Sequence, residues 1–174
     1  MSSTGAAPGA IVIMGPAGAG KTTVGRALAE ALGWRFHDAD DFHSLANVER
    51  MRRGVALTDV ERAPWLALLR ALLADALATH DPVVLACSAL RESYRAALVP
   101  FDEAPEAVRF VYLRATPALL RERLSHRVGH YASVDLLASQ LATLEEPDPH
   151  DAIVVDASRE PDALVSMIRD AIDV

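Results

Sequence analysis

The chain has 174 residues, enough for one domain with a substantial core, and its 51% hydrophobic content, led by Ala and Leu, suits a helix-rich α/β protein. A net charge of -7 argues against nucleic acid or an anionic membrane as the main partner, and a single cysteine, Cys87, excludes an internal disulfide and fits a reducing cytosol. No apolar run approaches the ~20 residues of a membrane span, so the sequence reads as that of a soluble cytoplasmic protein.

Residues 1–9 are small and polar and read as a disordered terminus, leaving 10–174 as a single domain. Ala10–Met14 is an apolar run of buried-strand length. It feeds Gly15-Pro16-Ala17-Gly18-Ala19-Gly20-Lys21-Thr22, which reads G-x-x-x-x-G-K-T, and residues 23–32 follow with Val24, Leu28 and Leu32 at helical spacing. A strand entering a helix through a glycine loop is the context in which this motif cradles the phosphates of a nucleoside triphosphate. Glycines at 15, 18 and 20 permit backbone angles that turn successive N–H groups on to one anion, and the helix dipole adds to them. Lys21 has the reach to neutralise the β- and γ-phosphates, and Thr22 offers a hydroxyl to Mg²⁺. Residues 15–22, with Thr23, are therefore the predicted ATP site.

Gly33 closes the first helix as a residue able to take the left-handed turn. Trp34-Arg35-Phe36-His37 is a second short strand ending in Asp38-Ala39-Asp40-Asp41, and a polar helix is expected over 41–53, stopped by Gly54. Thr58-Asp59-Val60-Glu61 is a capping box that opens a long helix with an apolar face of Trp65, Leu68, Leu69, Leu72, Leu73, Ala76 and Leu77. Residues 82–87 form a continuous apolar strand, 88–98 a helix stopped by Pro100, and 108–113 the next strand. Thr116-Pro117 starts a helix with a capping hydroxyl and a proline at its first position; it carries Leu119, Leu120 and Leu124 into the basic stretch Arg121, Arg123 and Arg127. The pattern breaks at 128–133 and a further helix covers 134–144. Ile153-Val154-Val155 is the last strand, and Pro161 opens a terminal helix with Leu164, Val165, Ile168 and Ile172 inward. Five strands with helical crossovers and no hairpin signal imply a five-stranded parallel sheet flanked by helices on both faces, with ligands beyond the carboxyl ends of the strands.

Several polar groups fall at those ends. Asp38 and Asp40 lie two residues apart, so in an extended segment they project from the same side. Phosphoryl transfer needs one carboxylate near the metal and one at the accepting hydroxyl; Asp38 is assigned to Mg²⁺ and Asp40 to the substrate proton. The alternative is a solvated acidic turn in which Asp41 caps the next helix. The D-x-D-D-x-H segment over 38–43 could hold a transition metal, but phosphate-bound Mg²⁺ explains the aspartates with fewer assumptions. His43 is then either a hydrogen-bonding group for a polar substrate or a surface histidine. Arg123 and Arg127 share one helix face, and Gly129 follows as a hinge. This makes 121–135 a lid whose arginines, with Lys21, stabilise charge on the transferring phosphoryl group; the alternative is a solvated basic face paired with Glu122. Cys87 reads as a small buried apolar residue. Ser88, Arg91 and Arg62 are candidates for substrate hydroxyls or a carboxylate, although Arg62 and Trp65, one helical turn apart, could equally pack only on each other.

No apolar strand ending in Asp stands where a motor ATPase keeps its second motif, Ile153-Val154-Val155-Asp156 coming too late, and no N-K-x-D marks a guanine-specific switch. The first forty residues are as similar to shikimate kinases as to their relatives. The following segments resemble the gluconokinase family: Asp38-Ala39-Asp40-Asp41-Phe42-His43, Asn47-Val48-Glu49-Arg50-Met51, residues 57–66 with Thr58, Arg62 and Trp65, Cys87-Ser88-Ala89-Leu90-Arg91-Glu92-Ser93-Tyr94-Arg95, Arg127-Val128-Gly129-His130-Tyr131, and residues 136–147. The resemblance spans nearly the whole of 11–156. It implies an adenylate-kinase-like fold, a homodimer, and ATP-dependent phosphorylation of D-gluconate to 6-phosphogluconate, feeding the pentose phosphate and Entner–Doudoroff routes. It also implies a substrate pocket of Asp40, His43, Arg62, Ser88, Arg91 and His130. The chain departs from the family pattern at Ser44, where proline is common, at Val55-Ala56, where Glu-Pro or similar is usual, and at Arg91, which keeps the charge of a common lysine in a wider planar group. Two competing readings are a kinase for another small acceptor, such as shikimate or a nucleoside monophosphate, and a catalytically silent nucleotide-binding module. Intact Lys21, Thr22, Asp38 and Asp40 speak against the second.

Overall fold

β1 (Ala10–Met14) is buried at every position, which requires cover on both faces and a partner on both edges. Both conditions hold in the computed structural model of the chain, which describes residues 8–101, 103, 105–126 and 134–172. β1 pairs in parallel with β3 (Val83–Ala86), Ile11 opposite Val84, and with β4 (Val108–Arg114), Ile11 opposite Arg109. β2 (Arg35–Asp38) adds outside β3 and β5 (Ala152–Asp156) outside β4. The order is β2-β3-β1-β4-β5, parallel throughout, as the sequence predicts.

Alternation along β1 sorts the core into two layers. Ala10, Val12 and Met14 share one with Trp65, Leu69 and Leu73 of α3 (Asp59–Thr79) and Leu98 of α4 (Glu92–Leu98). Ile11 and Ile13 share the other with Leu28 of α1 (Lys21–Leu32), Leu120 of α5 (Pro117–Ser125), Leu137 of α6 (Val134–Thr143), and Leu164 and Ile168 of α7 (Pro161–Ile172). The caps expected at Gly33, Thr58 and Thr116 are present, including the reciprocal Thr58–Glu61 box.

Local geometry differs from expectation in three places. The segment after β2 is not one helix from 41. The Asp38 carboxylate accepts the Asp40 N–H and winds Ala39–Phe42 into a 3-10 turn, and Ser44, not Asp41, then caps α2 (Leu45–Arg52). The buried face of α3 is Trp65, Leu66, Leu69, Leu73 and Ala76, whereas Leu68 is 55% exposed. Residues 88–91 are not helical: Ala89 has φ 44° and α4 begins only at Glu92. Arg95 Nη1 donates to the Ala89 carbonyl at 3.2 Å and the Glu145 N–H to the Leu90 carbonyl at 2.8 Å, so tertiary bonds hold this segment open. Among the described residues no helix is long and apolar enough to cross a membrane.

Candidate active site

The glycine loop between β1 and α1 lies at the carboxyl edge of the sheet. Gly18 and Gly20 sit at φ 85° and 97°, in the left-handed region that favours glycine. A Cβ on Gly18 would stand 3.1 Å from the Leu120 carbonyl, so α5 presses directly on the loop. Lys21 Nζ donates back to the Pro16 carbonyl at 3.0 Å, which keeps its charge over the loop.

Thr22 Oγ1 donates to Asp38 Oδ2 at 2.7 Å, and Asp38 Oδ1 accepts the Asp40 N–H at 3.0 Å. One carboxylate thus joins the start of α1 to the end of β2. A hydroxyl beside a carboxylate is the sparse oxygen set that suits Mg²⁺, which keeps phosphate and water as its other ligands. Among the described residues no group of three or more His, Cys, Asp or Glu could cage a metal by itself. Asp38 and Asp40 do not stand two apart on an extended segment, because the 3-10 turn intervenes. Both nevertheless line the same cleft of about 760 Å³ with Lys21, Thr22, Arg62 and Arg91, a size suited to a small-molecule site.

His43 is not a surface histidine. It stacks on Trp65 with ring centroids 4.3 Å apart and 12° between planes, and the Trp65 Nε1–H donates to the Ala39 carbonyl at 2.7 Å, fixing the indole. Burial, and then the charge of Arg62, push the His43 pKa down to about 4, so the ring is neutral at pH 7. Its Nδ1 is buried without a hydrogen-bond partner among the described residues.

Arg62 pairs with α4 rather than with Trp65 alone. Its Nη1 donates to the Tyr94 hydroxyl at 2.7 Å and lies 3.5 Å from Asp59 Oδ1, with the guanidinium carbon 4.6 Å from the Tyr94 ring centre. The Tyr94 hydroxyl donates in turn to Asp59 Oδ1 at 2.5 Å, and Arg91 Nη1 stands 3.5 Å from Asp59 Oδ2. The Tyr94 hydrogen bond, and then the two arginines, hold the Asp59 carboxyl below the usual range. Burial, and then Asp59, push the Tyr94 hydroxyl up, so it stays a donor. Ser88 lines the cleft, and its carbonyl accepts the Gly15 N–H at 3.2 Å. Burial pushes the Cys87 thiol up to about 12, which leaves it inert, in line with its reading as a core residue.

Part of the basic stretch lies among the described residues. Arg123 donates from Nη1 to the carbonyls of Ala19 at 3.2 Å and Gly18 at 3.4 Å, and from Nη2 to that of Ala157 at 2.7 Å. It clasps the phosphate loop to the segment after β5 and is not among the residues lining the cleft. Arg121 is exposed, and Arg127 and His130, with residues 127–133 of the expected lid, lie outside the described residues. Sequence reasoning missed Asp59 and Tyr94 as site members, and also Gln140, whose Oε1 accepts the Ala17 N–H at 2.7 Å from across the cleft. A lone amide on a helix carries no periodic signal; Asp59 reads as an ordinary first-turn acid.

The comparisons with known proteins agree with this geometry. A family model described as an AAA domain matches residues 11–147. A gluconokinase of Gluconobacter oxydans (strain 621H) is 44% identical over 92% of this chain and 89% of that protein, and a probable gluconokinase of Xenopus tropicalis is 40% identical over 94% and 93%. The crystal structure of a gluconokinase from Sinorhizobium meliloti 1021 superposes with a TM-score of 0.80 at 39% identity, covering 95% of this chain and 92% of that one. With its phosphate loop at the edge of an all-parallel 2-3-1-4-5 sheet, the chain belongs to the gluconokinase family of phosphate-loop kinases.

Proposed function

We propose that the protein transfers the γ-phosphoryl group of ATP to the terminal hydroxyl of D-gluconate, giving 6-phospho-D-gluconate and ADP. The observation that carries this reading is one cleft lined both by the phosphate loop with its Thr22–Asp38 pair and by Asp40, His43, Ser88, Arg62 and Arg91. Residues 15–22 and Thr23 cradle the triphosphate, with Lys21 meeting the growing charge on the transferring group. Thr22 and Asp38 would hold Mg²⁺, which draws charge from the phosphate oxygens when bound. Asp40 takes the proton from the gluconate hydroxyl as its oxygen bonds to the γ-phosphorus and the bond to the β-phosphate oxygen breaks. Neutral His43 serves as a hydrogen-bonding partner for hydroxyls, and the arginines face the carboxylate end. Arg127 as a catalytic arginine and a lid over 121–135 belong to the same proposal and rest on the basic stretch and Gly129; His130 in the pocket and a homodimer rest on the family resemblance, and a cytoplasmic setting on composition. Arg123, expected as a second catalytic arginine, is instead taken up by the carbonyls of Gly18, Ala19 and Ala157 and braces the phosphate loop.

The test is ADP release with Mg-ATP and a panel of acceptors. A pocket built to pair hydroxyls and a carboxylate rejects acceptors that leave its own groups unsatisfied by up to ~10⁴–10⁵. Turnover with gluconate is expected far above that with shikimate, glucose or AMP. Equal rates with any of these overturn the assignment, and ATP binding with no acceptor-dependent turnover restores the silent-module reading.

A further inference from the structure

Four side chains at the joint of α3 and α4 form a linked set. The Arg62 Nη1–H donates to the Tyr94 hydroxyl, the hydroxyl donates to Asp59 Oδ1, and Asp59 Oδ2 faces Arg91. The two hydrogen bonds through the hydroxyl are short, 2.7 and 2.5 Å, whereas both Asp59–arginine approaches are 3.5 Å. Ion pairs that long, on a carboxylate 68% exposed, contribute little to stability. The hydrogen bonds through Tyr94 tie α3 to α4, whereas the placement of two arginines about one exposed carboxylate calls for a further reason.

Its charge count supplies one. Among these four side chains a single carboxylate lies between two guanidinium groups, leaving one positive charge over within the set. Arg62 and Arg91 lie over the Tyr94 ring, and the polar contacts of each with this set are made through Nη1. Each guanidinium keeps further donors in its planar fork, the arrangement that receives a carboxylate in bidentate fashion. The frame behind them is anchored in two helices. Asp59 is the first residue of α3, set by the Thr58–Glu61 capping box, and Tyr94 is 7% exposed.

We propose that Asp59 and Tyr94 are positioning residues that fix Arg62 and Arg91 as a paired clamp for the acceptor's carboxylate, and so set the preference for a sugar acid over the corresponding alcohol. This rests on the gluconate reading above. Tyr94 does most of the positioning, since its hydroxyl is both the acceptor for Arg62 and the donor to Asp59.

Tyr94→Phe keeps the ring beneath the guanidinium and removes only the hydroxyl; Asp59→Asn removes the charge. Both are assayed in the full chain with Mg-ATP, D-gluconate, and D-glucitol, which carries a hydroxymethyl group in place of the carboxylate. Where D-glucitol turns over too slowly it is read as a competitive inhibitor. Loss of a charge-assisted hydrogen bond is expected to raise the gluconate KM by about tenfold with kcat within about twofold. The D-glucitol constant and the KM for Mg-ATP stay unchanged, so the preference for acid over alcohol falls by about the same factor. An unchanged gluconate KM overturns the proposal, and so does equal weakening of both acceptors, which a merely structural role would give. If Asp59→Asn fails to fold, Tyr94→Phe decides alone. A parent enzyme that does not use gluconate at all defeats the functional reading and the clamp with it. A parent that does, with Tyr94→Phe retaining full preference, defeats the clamp only.

Discussion

The Asp38 carboxylate meets two partners at once: one oxygen takes the Thr22 hydroxyl and the other shapes the turn that carries Asp40. The residue nearest the expected metal and the residue expected to take the proton are therefore set by one side chain, and their roles separate by substitution. Asp40→Asn keeps size and turn but removes the basic oxygen. It is expected to lower kcat by ~10²–10⁴ while ATP affinity changes by no more than a few-fold, checked by steady-state kinetics beside calorimetric titration of ATP. Retained turnover sinks the base assignment. Lys21 and Thr22 were legible in the sequence because the spacing of the phosphate-loop motif carries its own chemistry; Asp38 and Asp40 were legible as acids leaving β2, although a 3-10 turn replaces the extended segment expected to align them. Tyr94 with Asp59, and Gln140 with Ala17, are 35 and 123 residues apart, and such pairs become visible only when the sheet brings their elements together.

At the scale of elements, the sheet and its crossovers were readable from apolar runs and caps, and so was most of the inward face of α3, except that Leu68 turns outward and Leu66 inward. That helix is rich in Ala and Leu on nearly every side, so a period of 3.6 selects no single stripe and tertiary packing decides. Leu69 is fully buried against β1 and β3, while Leu68, one position earlier, is 55% exposed. Leu69→Ala is expected to cost ~2–5 kcal/mol in urea unfolding, and Leu68→Ala no more than ~0.5 kcal/mol. Equal costs would mean that the helix is rotated from the face described. Residues 88–91 were misread for a related reason. Ser-Ala-Leu-Arg favours helix locally, but Arg95 and Glu145 hold the main chain out of it, with Ala89 in the left-handed region. The departure falls at the edge of the cleft, where local preference most often gives way to function.

For the molecule as a whole, acid sensitivity has an identifiable source in His43. An unfolded imidazole titrates near 6.5 and this one near 4, so between those values the unfolded chain binds a proton that the folded chain refuses. The contribution is fully present above about 6.5 and is lost progressively as pH falls to about 4. Replacing His43 with Phe, which keeps a ring against Trp65, is expected to narrow the gap between urea midpoints measured at pH 7.5 and pH 5. An unchanged gap would assign the acid loss to other groups.

The placement of β1 has a consequence for how the chain reaches this state. β1 lies in the middle of the sheet, and its two neighbours, β3 and β4, come only many residues later in the chain. No early local pairing can hold it, so the barrier to folding is set by distant contacts, a class that assembles slowly. The phosphate loop hangs from that strand, so its final shape is expected only once β3 and β4 have docked on β1.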